Sequence, residues 1–135
     1  MTAATQERNT PTRDNVDYVF PVAASKKILA GTLVMLDTSG NAEPGATATG
    51  KTAAGIAQET IDNTGGGAGD VEVKVRRGTY LLANSASSDE ITDADWGATC
   101  YVVDNQTVAK THDTNTRSAA GTVRGVTPAG VWVEI

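Results

Sequence analysis

Two stretches of the chain, Thr32-Leu-Val-Met-Leu-Asp37 and Thr99-Cys-Tyr-Val-Val-Asp104, share one plan: a short apolar run that ends in an aspartate. Each leads through a polar turn to an alanine, Ala42 or Ala109. An Ala-Gly step follows in each, Ala54-Gly55-Ile56-Ala57 and Ala120-Gly121-Thr122-Val123. Each closes on an alternating segment, Val71-Glu-Val-Lys-Val75 and Val131-Trp-Val-Glu-Ile135. Strict alternation puts Val71, Val73 and Val75 on one face and Glu72, Lys74 and Arg76 on the other, the period of a half-buried strand. Few residues are identical between the copies, so the repeat lies in the pattern. It predicts a β chain with an internal pseudo-repeat.

Working outward, Tyr18-Val-Phe-Pro-Val22 reads as a first strand, with Pro21 confining it to an edge or an end. Thr38-Ser-Gly-Asn41 is a turn, residues 43–52 a Gly/Ala/Thr loop and residues 53–59 a short strand. Asn63-Thr-Gly-Gly-Gly-Ala-Gly-Asp70 reads as a flexible connector. Gly78 breaks the Val71–Arg76 strand, and Thr79-Tyr-Leu-Leu82 resumes. Residues 88–96 hold the one helix candidate: Thr92 caps a single turn, Asp95 follows three residues later and Gly97 ends it. Residues 101–104 and 107–110 form a hairpin across Asn105-Gln106. Residues 111–117 are a polar loop. Residues 119–126 and 130–135 close the domain around Thr127-Pro-Ala-Gly130. The expected fold is all-β: a small antiparallel barrel or sandwich, β-tulip-like, with one short helical turn and an extended N-terminal arm.

A chain of 135 residues is sized for one domain. The expected division is an arm over residues 1–17 and a β domain over 18–135. The arm carries almost nothing to bury and is expected to be mobile in isolation. Aromatic residues make up only 4% of the chain. The core must therefore rest on Val, Ile, Leu and Ala, and thin cores are often supplemented by association. The net charge is −5, and Lys and Arg are dispersed; this argues against duplex nucleic acid as a partner. No apolar run approaches the ~18 residues of a membrane-spanning helix. The polar start of the chain has no signal-peptide core, so synthesis in a cytoplasm is expected.

Gly45-Ala-Thr-Ala-Thr-Gly-Lys51-Thr52 fits the phosphate-loop pattern, which needs a buried strand before it and a helix after it. Neither is expected here, because Pro44 precedes and Gly55 follows; a surface loop is the better reading. His112 is the only histidine and has no ligand partner at metal spacing. The acidic group Asp89, Glu90, Asp93 and Asp95 lacks the order of a calcium loop and reads as capping and solubility. Cys100 sits in an apolar run and reads as a buried hydrophobe. Asn105-Gln-Thr107 matches a glycosylation acceptor but falls in a tight hairpin. Trp132 alternates with Val131 and Val133, so it faces away from them, either over a second small core or at an interface. No cofactor or metal is expected.

From Thr32 onward the order of elements resembles the capsid decoration, or head cement, proteins of tailed bacteriophages. The resemblance rests on Ala30-Gly31-Thr32-Leu-Val-Met-Leu-Asp37 with Ser39-Gly40, Ala54-Gly55-Ile56-Ala57 and Val71–Val75 with Arg77-Gly78. Trp96-Gly97 with Tyr101-Val-Val-Asp104, Gly121-Thr-Val-Arg-Gly125 and the terminal strand complete it. It covers about four-fifths of the chain. It implies a structural protein, not an enzyme. Such proteins sit on the outer surface of an expanded head, often as homotrimers, and bridge major capsid subunits. Production in the host bacterial cytoplasm and residence on the virion would follow. On that reading Arg8, Thr10, Pro11, Arg13, Tyr18 and Phe20 are candidate capsid contacts, and Trp132 is the candidate subunit contact. The alternative is an adhesion or carbohydrate-binding module of a phage or cell surface, which would need aromatics grouped on one face. An enzyme has only the phosphate-loop match in its favour.

Overall fold

The computed structural model describes residues 2–135. Its regular secondary structure is nearly all strand. The elements are β1 (Asp17–Pro21), β2 (Lys27–Ile28), β3 (Leu33–Leu36), β4 (Ala42–Pro44), β5 (Thr52–Ala57), β6 (Ile61–Asp62), β7 (Glu72–Arg76), β8 (Thr79–Asn84), β9 (Thr99–Val102), β10 (Thr107–Ala109), β11 (Ala119–Thr127) and β12 (Gly130–Glu134). Single 3-10 turns, Ser87–Asp89 and Asp93–Asp95, lie between β8 and β9.

The doubled sequence pattern is matched by a doubled pairing order. The first sheet runs β1-β7-β5-β3-β4, and the closed barrel runs β10-β8-β12-β11-β9. In each half a hairpin (β3–β4 or β9–β10) is flanked by a third strand (β5 or β11), and that strand by a fourth (β7 or β12). A leading strand, β1 or β8, lies antiparallel against the fourth. Parallel pairing of β8 with β10 closes the second half, a departure from the antiparallel expectation. The first half has only a single parallel bridge at the same place, Val22 to Ala42.

The shared devices have physical reasons. Asp37 ends its strand because Oδ1 accepts the N–H groups of Ser39 (2.8 Å) and Asn41 (2.9 Å), which folds the turn. Asp104 does the same with Gln106 (2.9 Å) and Thr107 (2.8 Å). Each Ala-Gly step sits at a register shift, between β3 and β5 or between β9 and β11. There the backbone of the fourth strand passes so close that a Cβ on Gly55 would lie 2.4 Å from the Arg76 carbonyl oxygen. One on Gly121 would lie 2.2 Å from that of Glu134.

β3 lies between the two cores, which explains its unbroken apolar run. Leu33 and Met35 pack with Val102, Val108, Val131 and Val133 of the barrel. Val34, between them, packs with Val22, Ala54, Val73 and Val75 of the first sheet. Polar bonds reinforce the junction: Leu33 N–H donates to the Asn105 carbonyl (2.8 Å), and Ser118 Oγ–H to that of Ala48 (2.7 Å).

Three local expectations need correction. The start of the 43–52 loop is strand, since Glu43 and Pro44 belong to β4; Pro44 fits because β4 is an edge strand of its sheet. The 63–70 connector is pinned, not loose. Asn63 is buried, and its Nδ2 donates to the carbonyls of Ala23 and Gly67, both at 3.0 Å. The helix candidate over 88–96 resolves into two 3-10 turns. Only the second uses Thr92, whose N–H and hydroxyl donate to the Asp95 carboxylate.

Candidate binding surfaces

The chain preceding β1 is exposed throughout residues 2–16 and forms no strand. Arg8, Thr10 and Pro11 are exposed on it. Its contacts with the body include a cluster next to β1. The Arg13 guanidinium lies 4.8 Å from the Tyr18 ring centre, and Tyr18 stacks on Phe20 with centroids 6.0 Å apart at 16°. Asn15 Oδ1 accepts from the Tyr18 hydroxyl and from Arg77 Nη1. Asp17 pairs with Arg76 at 2.9 Å, and that hydrogen bond holds its carboxyl below the usual carboxylate range. Arg13, Tyr18 and Phe20 are thus brought together, whereas Arg8, Thr10 and Pro11 stand apart. Tyr18 and Phe20 are half-buried, and Phe20 packs against the first core. They line a cavity of about 270 Å³ with Leu36, Thr52, Ala53, Ala54 and Arg77.

A second surface lies on the outer face of the barrel. Val131 and Val133 are fully buried, and Trp132 between them remains 41% exposed. Among the described residues it belongs to neither buried cluster. Its indole rests over Gly125, where an added Cβ would come within 3.2 Å of the ring. Leu81, 42% exposed, is its neighbour across β8. Beyond Gly125, Arg124 donates to Glu134 at 2.7 Å and stacks 5.0 Å from the centre of Trp96. Trp96 is 64% exposed. The sequence marked Trp132 but not its partners. Gly125 opposite a tryptophan was the available signal for a flat indole, and nothing local linked Arg124 to Trp96.

The remaining motifs do not assemble into a site. The phosphate-loop stretch leaves strand β4 and enters strand β5, with no helix. Gly45 N–H is spent on the Leu33 carbonyl (2.8 Å), and Lys51 Nζ pairs with Glu43 at 2.8 Å. That hydrogen bond raises the Lys51 pKa above the ordinary lysine value. Lys51→Ala should therefore leave the melting temperature insensitive to added ATP and magnesium, as in the parent; a nucleotide-dependent rise in the parent, abolished by the substitution, would overturn this reading.

His112 lies in the exposed 111–117 loop, where Nδ1 accepts the Asn115 N–H at 2.8 Å. Asp113, Thr114 and Asn115 there adopt left-handed backbone angles. Arg117 holds this loop down, donating to Asp89 (3.1 Å) and to the Thr111 carbonyl (3.0 Å). Hydrogen bonds from the Thr111 hydroxyl and from Arg117 lower the Asp89 pKa. Two of the acidic residues, Asp89 and Asp95, thus serve structure. Among the described residues no group of His, Cys, Asp or Glu is arranged to hold a metal ion. Cys100 is fully buried, and burial pushes its thiol up to about 11. Among the described residues no helix is long and apolar enough to cross a membrane.

No family model, no curated protein and no solved structure matches the chain.

Proposed function

We propose that the chain is a structural decoration protein of a phage head, binding the outer surface of the expanded shell and bridging major capsid subunits. The observation that carries the reading is an exposed N-terminal segment issuing from the edge strand of a well-packed β body. A segment of this kind can order along a partner surface and give reach with modest affinity per contact. Arg13, Tyr18 and Phe20, gathered where it leaves the body, would form the inner end of the contact, and Arg8, Thr10 and Pro11 the outer end. The resemblance of the element order to the cement family supports the same reading. Copies grouped in threes through the Trp132 face would link several arms, so that each further arm binds at high effective concentration. The role needs no catalysis, metal or nucleotide.

Deleting residues 2–15 should weaken binding to expanded, undecorated heads by at least about tenfold while leaving the melting transition within about 3 °C of the parent. That fold-change corresponds to about 1.4 kcal/mol. Unchanged head binding by the truncated chain would sink the role given to the arm. A saccharide-binding module is the second reading, favoured by Trp96 and Trp132 on one outer face. Retained glycans on an array, lost on Trp132→Ala, would favour it.

A further inference from the structure

We propose that β1 is a self-association edge, at which two copies of this chain join their β1 strands antiparallel about Val19. The hydrogen-bonding parity of the strand carries the inference. The Val16 carbonyl accepts Arg77 N–H (2.8 Å) and Val22 N–H donates to the Val71 carbonyl (2.9 Å), so the even-numbered residues of β1 face β7. Opposite Val19, the Lys74 carbonyl is turned away and accepts Gln58 N–H (2.9 Å). The N–H groups of Asp17 and Val19 and the carbonyls of Asp17, Val19 and Pro21 therefore point to the other edge. Farther along that edge Ala23 N–H meets the Ala42 carbonyl (2.8 Å), so it is closed beyond Val22. From Asp17 to Pro21 β1 pairs with β7 alone. The strand carries no bulge and no lysine, and the edge protections it has, Asp17 and Pro21, sit at its two ends and leave Val19 open.

This open stretch is complementary to itself. In an antiparallel pair centred on Val19, each Val19 N–H donates to the other Val19 carbonyl. Each Asp17 N–H donates to the Pro21 carbonyl of the second copy. Pro21, with no N–H, ends the pairing where β4 would obstruct it. At the other end the backbone bends at Asn15 and Val16, carrying the arm off the edge toward Tyr18 and Arg77. Val19, 54% exposed in one copy, would be covered by its mate. On the opposite face Tyr18 would meet Phe20 of the second copy, extending each Tyr18–Phe20 stack over the 270 Å³ cavity beside it. Asp17 is already paired with Arg76, so the contact brings no unmatched like charges together.

The contact is two-fold and stands apart from the threefold grouping proposed above. Its test uses no heads, so its failure leaves the capsid reading untouched. Directly opposed residues of such a pair lie about 5.5 Å apart at Cα. Val19→Cys should therefore be joined into covalent dimers by a short bis-maleimide at micromolar protein. The native thiol, Cys100, is fully buried and does not compete. Leu29→Cys, similarly exposed but between β2 and β3, on neither β1 nor the Trp132 face, should stay uncrosslinked under the same conditions. Sedimentation equilibrium of the unmodified chain should give a dimer or another even-numbered species. No crosslink at Val19→Cys, equal crosslinking at Leu29→Cys, or a monomer or trimer at all concentrations would each overturn the proposal.

Discussion

Gly55→Ala and Gly121→Ala are expected to be among the most damaging conservative substitutions in the chain, each costing about 3 kcal/mol or more. Each new methyl would be driven into a main-chain carbonyl, at 2.4 Å from Arg76 and 2.2 Å from Glu134, and neither obstacle is a flexible side chain. Gly55 adds a second penalty, because its φ of +140° is one that L side chains rarely adopt. Separating the strands would break the pairing of β5 with β7 or of β11 with β12. For a domain of this size the loss corresponds to a fall in melting temperature of about 10–15 °C. Gly40→Ala is the informative comparison. Its φ is +82°, but nothing lies within 4 Å of the added carbon, so only the backbone strain of roughly 1–2 kcal/mol remains. Thermal denaturation of the three variants side by side checks the argument; equal losses at Gly40 and Gly121 would mean that close strand approach is not what fixes the glycines.

Leu33→Ala is expected to cost about 2–5 kcal/mol and to destabilise both halves together. Leu33 is fully buried and comes from the first sheet, yet its side chain packs in the core of the barrel. Removing it would open a cavity at the junction, and the backbone bond from Leu33 to Asn105 would lose its packing support. Native-state hydrogen exchange reads this directly. Protection should fall by a similar factor at Val73 in the first core and at Val133 in the second. A loss confined to one half would show that the halves unfold independently and that the shared core does not couple them.

Much of the fold was legible because its signals are local. Alternation in Val71–Val75, the aspartates that end β3 and β9 and the Ala-Gly steps each reflect a requirement of one strand or turn. What was not legible depends on partners distant in sequence. The Asn63 amide reaches Ala23 across 40 positions, which turns a glycine-rich connector into a fixed loop. The parallel closure of β8 on β10 leaves no periodic mark, since it spans only Ala83–Asn84 and Thr107–Val108. The surfaces were legible in part. Trp132 was placed outward by simple alternation, and Tyr18 and Phe20 were marked by their position beside the arm. Trp96, Arg124 and Leu81 were missed because their meeting depends on strand register and on the shift between Val123 and Gly125. Arg77 and Asn15 join across 62 positions and gave no local sign of it.

The most direct test of the central claim is co-sedimentation of the purified chain with expanded, undecorated heads of the phage to which the proposal assigns it, counting bound copies at saturation. The account predicts a plateau at a fixed number of chains per head, set by the threefold and quasi-threefold positions. Absence of binding to intact expanded heads would contradict it and would turn attention to the glycan-binding reading of the Trp96 and Trp132 face.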